Sequence, residues 1–383
     1  MADIRIKCDK IILKDEIISG FVYITDDKVS EVSQEEHTAK IFYDFTGKYL
    51  APAFIDTHTH GSGGFAFADT SAEEVIAGCD FMLKNGTVSV APTISAERIE
   101  IVEKSVKNIS EAKRSGKAMG HILGAHIEGP YLSPKQCGAQ HPDYITPPIE
   151  KDYVRVLENY GGDVVRWTYA PENDEDGKFC RYITSRGVIA SAGHTDATYD
   201  DMKLAMASGC NLVTHLYSCT STVTRKMGFR ILGVNETAYL CDDLTAEMIT
   251  DGKHLPPDLI KMIVKIKGVE KVIAVTDSMP IAGSDIKEGV CCGTKFVVSE
   301  GVARLPDLSA FAGSVATGNR LLEVLVKECG FSYPDALKML SLNAAKLHKL
   351  NKGEIKSGLD ADLIVIDSDF NVTDVFVSGV KKV

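Results

Sequence analysis

A chain of 383 residues, 44% of them hydrophobic, is long enough to bury a large core as one big domain or two smaller ones. Its formal net charge of −11, without any basic stripe, argues against nucleic-acid and anionic-membrane partners. No apolar run approaches the roughly 18 to 20 residues that span a bilayer, and the start lacks a signal-peptide hydrophobic region. We therefore expect a cytoplasmic protein, in which most of the ten irregularly spaced cysteines are reduced.

The two ends of the chain have the pattern of short strands without helices. Alternating polar and apolar residues predict strands over 4–13, 17–32 and 39–45, and again over 352–367 and 375–380. Neither end holds enough apolar residues to form a core alone. We therefore predict that residues 1–50 and 351–383 pair into one small β-sandwich domain.

Between these ends, strands and helices alternate. Apolar, β-branched runs predict eight strands, near 49–55, 87–92, 121–126, 164–170, 187–192, 210–214, 244–250 and 271–276. Amphipathic segments predict helices between most of them, for example over 71–85, 96–115, 198–208 and 256–267. Eight such units predict an α/β fold, a (β/α)8 TIM barrel over residues 51–350. A hairpin insertion at about 289–305 is expected to cap the barrel mouth or extend the sandwich.

Side chains that bind metals stand where predicted strands end. They are His58, His60, Glu128, His194, His215 and Asp277. Active sites of barrels lie at the carboxyl ends of the strands, so these six are expected to meet at one mouth. Single histidines and acids of this kind also occur in surface loops or in cores, and the combination is what favours a metal site. His58 and His60 point to the same side of a strand and can reach one ion.

Three of the six side chains could bind one metal ion and leave its fourth coordination position open. Glu128, His194 and His215 form a three-ligand set of the kind found in catalytic sites, where water takes the fourth position. Asp277 is expected to be the general base and acid that takes a proton from this water and returns it to a leaving group. A helix cap is the alternative role for Asp277. The pattern predicts a metal-dependent hydrolase.

Five segments around these residues resemble the amidohydrolase superfamily and, within it, the N-acetylglucosamine-6-phosphate deacetylase family. The segments are PAFIDTHTHG at 52–61, AHIEGPYL at 125–132, APE at 170–172, GHTDATY at 193–199 and VTD at 275–277. The resemblance covers essentially the whole chain. It implies hydrolysis of the N-acetyl amide of N-acetylglucosamine 6-phosphate to glucosamine 6-phosphate and acetate.

The resemblance also implies how the metal ligands are divided. Glu128, His194 and His215 would hold the principal ion, and His58 and His60 with Asp277 could hold a second, since the family has one-metal and two-metal members. Zinc is the expected ion, with iron, manganese or cobalt as alternatives, because imidazole and carboxylate ligands accept all four.

Substrate-binding residues follow from the same resemblance. They are Ala139, Gln140, His141, Ser218, Cys219, Arg225, Lys226, His254, Phe311, Ala312 and Gly313. Ser218 and Cys219 replace the asparagine and alanine usual in the family, and the phosphate-binding arginine is matched by Arg225 and Lys226 in a changed setting. Arginine and lysine are not equivalent at a bidentate phosphate site. Because the family supplies phosphate contacts partly across a dimer interface, the resemblance also implies a homodimer.

Three other functions are weighed against this one. Ser218 and Cys219 leave open a deacetylase of another amino sugar, N-acetylgalactosamine 6-phosphate or an unphosphorylated sugar. A cyclic-amide hydrolase is disfavoured, because the fourth strand ends in Tyr-Ala-Pro-Glu at 169–172 and lacks the carboxylated lysine of those enzymes. A non-catalytic scaffold is disfavoured because all six ligands remain.

Overall fold

The computed structural model describes residues 2–291, 294–308 and 311–383, and it forms a nearly closed parallel barrel with a separate sheet domain built from both termini. The predicted fold class is therefore confirmed. The eight barrel strands, numbered 1 to 8 here, are Phe54–Thr59, Thr87–Ile94, Ala125–Glu128, Val164–Tyr169, Ile189–Ala192, Leu212–Val213, Thr245–Ile249 and Val272–Val275. Each pairs in parallel with its neighbour in chain order, from strand 1 to strand 8.

The barrel closes between strands 1 and 8 through main-chain hydrogen bonds just beyond the strands. The Asp277 N–H donates to the His58 carbonyl at 2.9 Å, and the His60 N–H donates to the Ser278 carbonyl at 2.8 Å. Closure removes the exposed edges that a sheet of this length would otherwise present. It also brings the end of strand 8 against the two histidines of strand 1.

Helices follow the barrel strands and cover their outer side. They are Ala72–Lys84, Ile99–Ser115, Glu150–Tyr160, Lys178–Ser185, Tyr199–Ala207, Val234–Leu240, Pro257–Lys267 and Gly318–Glu323, and the last of these continues into a π-helical turn. Several begin at a side-chain cap, as predicted. The Ser71 hydroxyl accepts from the Glu74 N–H at 3.3 Å, and the Glu74 carboxylate accepts from the Ser71 N–H at 3.1 Å. Such a capping box satisfies two donors that the first turn leaves unpaired.

Two predicted strands differ from the structure in their limits. The predicted strand 49–55 is divided, because Tyr49–Pro52 pairs in the terminal sheet and Phe54–Thr59 begins the barrel. The predicted strand 121–126 becomes a short strand, His121–Ile122, followed by Ala125–Glu128. Gly124 separates them at φ +138°, a conformation that a side chain would strain. As a result Glu128 is the last residue of strand 3.

The terminal domain is one eight-stranded sheet. Its strands are Ala2–Ile12, Ile17–Thr25, Lys28–Ser33, Ala39–Asp44, Tyr49–Pro52, Leu363–Ile366, Val372–Val377 and Val380–Lys381. Leu363–Ile366 joins the two ends of the chain by pairing with Tyr49–Pro52. Residues 352–362, predicted as strand, connect elements without a strand of their own. We propose residues 1–50 with 351–383 and residues 51–350 as the two domains.

The insertion after strand 8 is a four-stranded antiparallel sheet in its described part. Its strands are Glu288–Cys291, Thr294–Ser299, Val302–Arg304 and Phe311–Ser314. Two residues of the predicted insertion, 292 and 293, and two residues after it, 309 and 310, lie outside the described part. The chain then ends its helical part with Tyr333–Leu337 and Asn343–Leu347, joined by a π-helical turn. Within the described residues, every helix is too short or too polar to cross a membrane. The eight cysteines with described side chains are free.

Candidate metal centre and cavity

Each predicted metal ligand stands at or just beyond the end of a barrel strand. His58 and Glu128 belong to strands 1 and 3, whereas His194, His215 and Asp277 follow strands 5, 6 and 8. The last three adopt left-handed backbone conformations, with φ of +46°, +30° and +44°. Residues with a side chain adopt such conformations rarely, and they cluster at functional sites, where the surrounding structure holds them.

Glu128 lies at the centre of this group. Its Oε1 atom is 3.0 Å from His215 Nε2, 3.3 Å from His194 Nε2 and 3.2 Å from His58 Nε2. Its Oε2 atom is 3.2 Å from His60 Nε2 and accepts a hydrogen bond from the Gln140 amide at 2.7 Å. The structure therefore brings Glu128 together with all four predicted histidines.

Asp277 completes the group from strand 8. Its Oδ1 atom lies 3.2 Å from His60 Nε2 and 3.4 Å from His58 Nε2. Burial raises the pKa of this carboxyl, but the adjacent His58 and His60 outweigh burial and hold the pKa well below its usual range. Burial likewise raises the pKa of Glu128, and the neighbouring histidines, His58 first, lower it far below its usual range. Both groups are therefore carboxylates.

The donor atoms of the cluster fit a divalent cation. The donor atoms of His58, Glu128 and His215 lie within 4.8 Å of one another, as do those of His58, His60 and Asp277, so that each group could hold one ion. His58 Nε2 is buried without a hydrogen-bond partner among the described residues, although it faces two carboxylates. His194 Nδ1 donates to the Gln136 carbonyl at 2.8 Å, so Nε2 is the nitrogen that faces the cluster. A bound cation would give these two nitrogens a partner.

A cavity of about 320 Å³ opens onto this cluster, and most of the predicted substrate-binding residues line it. Those that line it are Ala139, Gln140, His141, Ser218, Cys219, His254, Phe311, Ala312 and Gly313. Phe311 to Gly313 come from the inserted sheet, which therefore caps the mouth. The sequence interpretation missed several other lining residues, namely Ser95, Ala96, Gly138, Ile249, Met279 and Pro280. Ser95 stands just beyond strand 2, and that position was the available signal.

Two cavity residues are held by partners that orient them. His254 Nδ1 donates to the Asp251 carboxylate at 2.7 Å, which leaves Nε2 as the atom facing other groups. The imidazole packs against Phe311, with 4.9 Å between ring centres. Gln140 is fixed from both ends, because its carbonyl accepts from the Ala96 N–H at 2.9 Å while its amide donates to Glu128.

Arg225 and Lys226 lie elsewhere. They belong to the strand Thr224–Lys226 of a small hairpin with Phe229–Ile231, and both side chains are exposed. Within the described residues, neither lines the cavity of its own chain. The same hairpin exposes two large apolar side chains, Met227 at 91% and Phe229 at 74%.

The structure adds one pair of charged residues that the sequence interpretation did not select. Arg166 on strand 4 and Glu247 on strand 7 are fully buried inside the barrel and form an ion pair. Glu247 Oε1 also accepts from His58 Nδ1 at 2.8 Å. The available signal was a charged residue in the middle of an otherwise apolar strand, Thr-Ala-Glu-Met-Ile at 245–249 and Val-Val-Arg-Trp-Thr-Tyr at 164–169.

Comparison with known proteins agrees with this geometry. The amidohydrolase family matches residues 49–381, which include both the barrel and the last strands of the terminal sheet. The chain belongs to the amidohydrolase family. The predicted family is thus confirmed, and the chain is an enzyme of the hydrolase class.

Two relatives and one solved structure show how close the match is within this amidohydrolase family. The chain is 32% identical to N-acetylglucosamine-6-phosphate deacetylase of Bacillus subtilis, over 96% of this chain and 94% of the relative. It is 28% identical to N-acetylgalactosamine-6-phosphate deacetylase of a Shewanella species, over 91% and 87%. A mutant N-acetyl-D-glucosamine-6-phosphate deacetylase of Mycobacterium smegmatis, solved with N-acetyl-D-glucosamine-6-phosphate, superposes with a TM-score of 0.91 at 27% identity, covering 100% and 99%.

Proposed function

We propose that this amidohydrolase removes the acetyl group of N-acetylglucosamine 6-phosphate, giving glucosamine 6-phosphate and acetate. The observation that carries the proposal is that Glu128 Oε1 lies 3.3 Å from His194 Nε2 and 3.0 Å from His215 Nε2, and that all three residues line one cavity. The relatives that the chain matches over more than nine-tenths of its length support the choice of sugar phosphate.

Glu128, His194 and His215 would hold the principal ion, and His58, His60 and Asp277 a second. When bound, a divalent cation stabilises the negative charge that develops on the amide oxygen and lowers the pKa of a water molecule from 15.7 to roughly 7. We propose zinc as this ion, with iron, manganese or cobalt able to use the same ligands. The imidazole-rich ligand set supports an ion of this kind over magnesium or calcium.

Asp277 carries the proton in the proposed reaction. Its carboxylate, beside His60 and His58, accepts a proton from the attacking water and returns it to the amine nitrogen as the C–N bond breaks. Its depressed pKa keeps it ionised, and thus able to accept, near neutral pH. Its Oδ1 atom, 3.4 Å from His58 Nε2 and 3.2 Å from His60 Nε2, supports this role, because a water held by these ligands would lie beside it.

The cavity walls orient the sugar. His254, with its Nδ1 hydrogen engaged by Asp251, presents Nε2 as an acceptor for a hydroxyl or an amide group. Gly138 packs closely against Cys219 and His194, because a Cβ at this position would meet the Cys219 Sγ atom at 2.5 Å and the His194 Cε1 atom at 3.3 Å. A volume of about 320 Å³ is large enough for one hexosamine.

We propose that the phosphate is held by the hairpin of a second subunit in a cytoplasmic homodimer. Arg225 and Lys226 are exposed and are not among the residues that line the cavity of their own chain, while Met227 and Phe229 offer an apolar surface beside them. Exposed apolar side chains are suited to pack on a partner subunit. The neighbouring cationic side chains could then form charge-assisted hydrogen bonds with a phosphate bound there. This surface supports dimerisation as the role of the hairpin.

A deacetylase of N-acetylgalactosamine 6-phosphate is the second candidate. Ser218 and Cys219 line the cavity where the resembling family carries asparagine and alanine, and the Shewanella relative is named for that substrate. A hydroxyl and a thiol can accept or donate to a sugar hydroxyl of either configuration. These two residues would determine whether the enzyme prefers the glucose or the galactose epimer of the substrate.

The decisive experiment measures acetate release from N-acetylglucosamine 6-phosphate, N-acetylgalactosamine 6-phosphate and N-acetylglucosamine by metal-analysed enzyme. We expect the highest kcat/KM for the first, and a loss of about 10- to 100-fold without the phosphate, because charge-assisted hydrogen bonds are lost. A preference for the galactose epimer would select the second candidate. Equal rates with and without phosphate would remove phosphate recognition from the proposal.

The hairpin is tested with the double variant Arg225→Ala/Lys226→Ala. We expect KM for the phosphorylated sugar to rise about 10- to 100-fold and kinetics with the unphosphorylated sugar to stay unchanged. Lys107→Ala, an exposed cation on an outer helix, is the matched control. Mixing the double variant with Asp277→Asn should restore part of the activity if the hairpin acts across subunits, and no recovery would place its action within one chain.

A further inference from the structure

The buried ion pair beneath the metal cluster touches two of the proposed ligands. Glu247 Oε1 accepts from the His58 imidazole at 2.8 Å and from the His215 main-chain N–H at 3.2 Å. Arg166 holds the same carboxylate with both terminal nitrogens, one of them 3.1 Å from Oε1. One side chain of strand 7 therefore connects strands 1, 4 and the end of strand 6.

Arg166 is itself fixed by further barrel residues. Its Nε donates to the Ser191 hydroxyl at 3.0 Å, and one terminal nitrogen donates to the Thr214 hydroxyl at 2.7 Å. The Arg166 and Glu247 side chains are both fully buried. Each charge is paired and hydrogen-bonded, as a buried charge must be to avoid a large desolvation cost. The carboxylate consequently has little freedom to move away from His58.

The hydrogen bond between His58 and Glu247 fixes the tautomer of the imidazole. Both terminal nitrogens of Arg166 donate to Glu247, so Glu247 is an ion-paired carboxylate that only accepts hydrogen bonds. His58 Nδ1 must therefore carry the hydrogen. Its Nε2 atom, 3.2 Å from Glu128 and 3.4 Å from Asp277 and without a hydrogen-bond partner among the described residues, is then the nitrogen left to bind a cation.

We propose that Glu247, held by Arg166, is a positioning residue that keeps His58 in the tautomer and orientation needed to bind a cation through Nε2. The inference rests on the proposed metal site and extends it beneath the barrel mouth. Carboxylate partners of ligating histidines fix ring orientation and raise ligand basicity, and their loss typically weakens metal binding or activity by 10- to 100-fold.

A matched pair of double variants tests this role without leaving an unpaired buried charge. Arg166→Met/Glu247→Gln removes both charges and keeps an amide oxygen that can accept from His58 Nδ1. Arg166→Met/Glu247→Leu removes the same charges and that acceptor. Zinc affinity is measured by competition with a chromophoric chelator, a measurement that does not depend on deacetylase activity.

We expect the glutamine variant to bind zinc about 10- to 100-fold more tightly than the leucine variant. Equal affinities in the two folded variants would overturn the positioning role while leaving the metal site in place. A wild-type enzyme that binds no zinc would overturn both this inference and the proposed function.

A measurement on the zinc-loaded wild-type enzyme keeps the inference testable if the variants do not fold. Long-range proton–nitrogen NMR reports which nitrogen of His58 carries the hydrogen. The inference requires a protonated Nδ1 whose hydrogen exchanges slowly, because it is buried against Glu247. A protonated Nε2 would overturn it.

Discussion

Two buried ion pairs in this enzyme are alike in chemistry and differ in what surrounds them. Arg166–Glu247 lies inside the barrel, and its carboxylate touches a proposed metal ligand, His58. Lys352–Asp362 lies where the terminal sheet meets the barrel, and both of its side chains are also nearly inaccessible. Burial of charge alone therefore does not mark the active site. The groups that the carboxylate contacts make the distinction.

The second pair fastens the two domains together. Asp362 accepts from the Ser378 N–H at 2.7 Å and lies 3.1 Å from His121 Nε2, and its carbonyl accepts from the Ala53 N–H at 3.0 Å, directly before strand 1. These contacts join the terminal sheet to the start of the barrel, at the end opposite the metal cluster. We therefore expect this pair to contribute to stability and to have no part in chemistry.

The two regions should differ most in how a substitution in each affects turnover. Asp277→Asn is expected to keep the backbone conformation, since asparagine tolerates a positive φ, and to lower kcat about 10²- to 10⁴-fold through loss of the proton acceptor. Asp362→Asn, the same substitution at the domain junction, should leave kcat per folded molecule near wild type. Acetate release and metal content report both. Wild-type turnover from Asp277→Asn would remove this residue from the mechanism.

Stability should fall in both regions when one partner of a pair is removed. Arg166→Met and Lys352→Met each leave a buried carboxylate without its cation, at an expected cost of about 3 to 5 kcal/mol in the free energy of unfolding. Denaturant unfolding of each variant measures this cost. The two variants should differ in zinc affinity, which only Arg166→Met lowers. A loss of zinc affinity in Lys352→Met would show that the junction pair also acts on the metal site.

Lowering the pH should weaken the stabilisation by the Lys352–Asp362 pair, and this effect should be smaller than those of the substitutions above. Burial raises the pKa of Asp362, but His121 and Lys352 outweigh it and lower the pKa from 3.8 to about 2. A depressed pKa adds stability that is present above the unfolded-state pKa and is lost as the pH falls, here from about 4 to 2. We expect the difference in the free energy of unfolding between wild type and Asp362→Asn to shrink by about 2 kcal/mol across this range. A difference that does not change with pH would show that the Asp362 carboxylate does not provide this stability.

The barrel and its ligands were predictable from the sequence because they depend on local patterns. Apolar strands followed by His58, Glu128 or Asp277 can be recognised one at a time, and parallel strands necessarily bring their carboxyl ends together. The division of the run 49–59 between two sheets was not predictable, since Tyr49–Pro52 and Phe54–Thr59 are almost continuous in apolar character and differ only in their tertiary partners.

The remaining differences arise from contacts between distant segments. Arg166 and Glu247 are 81 positions apart, and each appears in sequence only as a charged residue interrupting a strand. Their pairing requires the barrel to be closed. Arg225 and Lys226 were predicted by resemblance, and no local pattern indicates that they do not line the cavity of their own chain.

We propose that Glu128, His194 and His215 share one ion at the base of the cavity. Anomalous diffraction from zinc-loaded crystals, recorded on both sides of the zinc absorption edge, would locate this ion. We predict a peak about 2.0 to 2.2 Å from a Glu128 oxygen and from the Nε2 atoms of His194 and His215. A fully loaded, active enzyme whose zinc peak lies away from these three atoms would contradict the account.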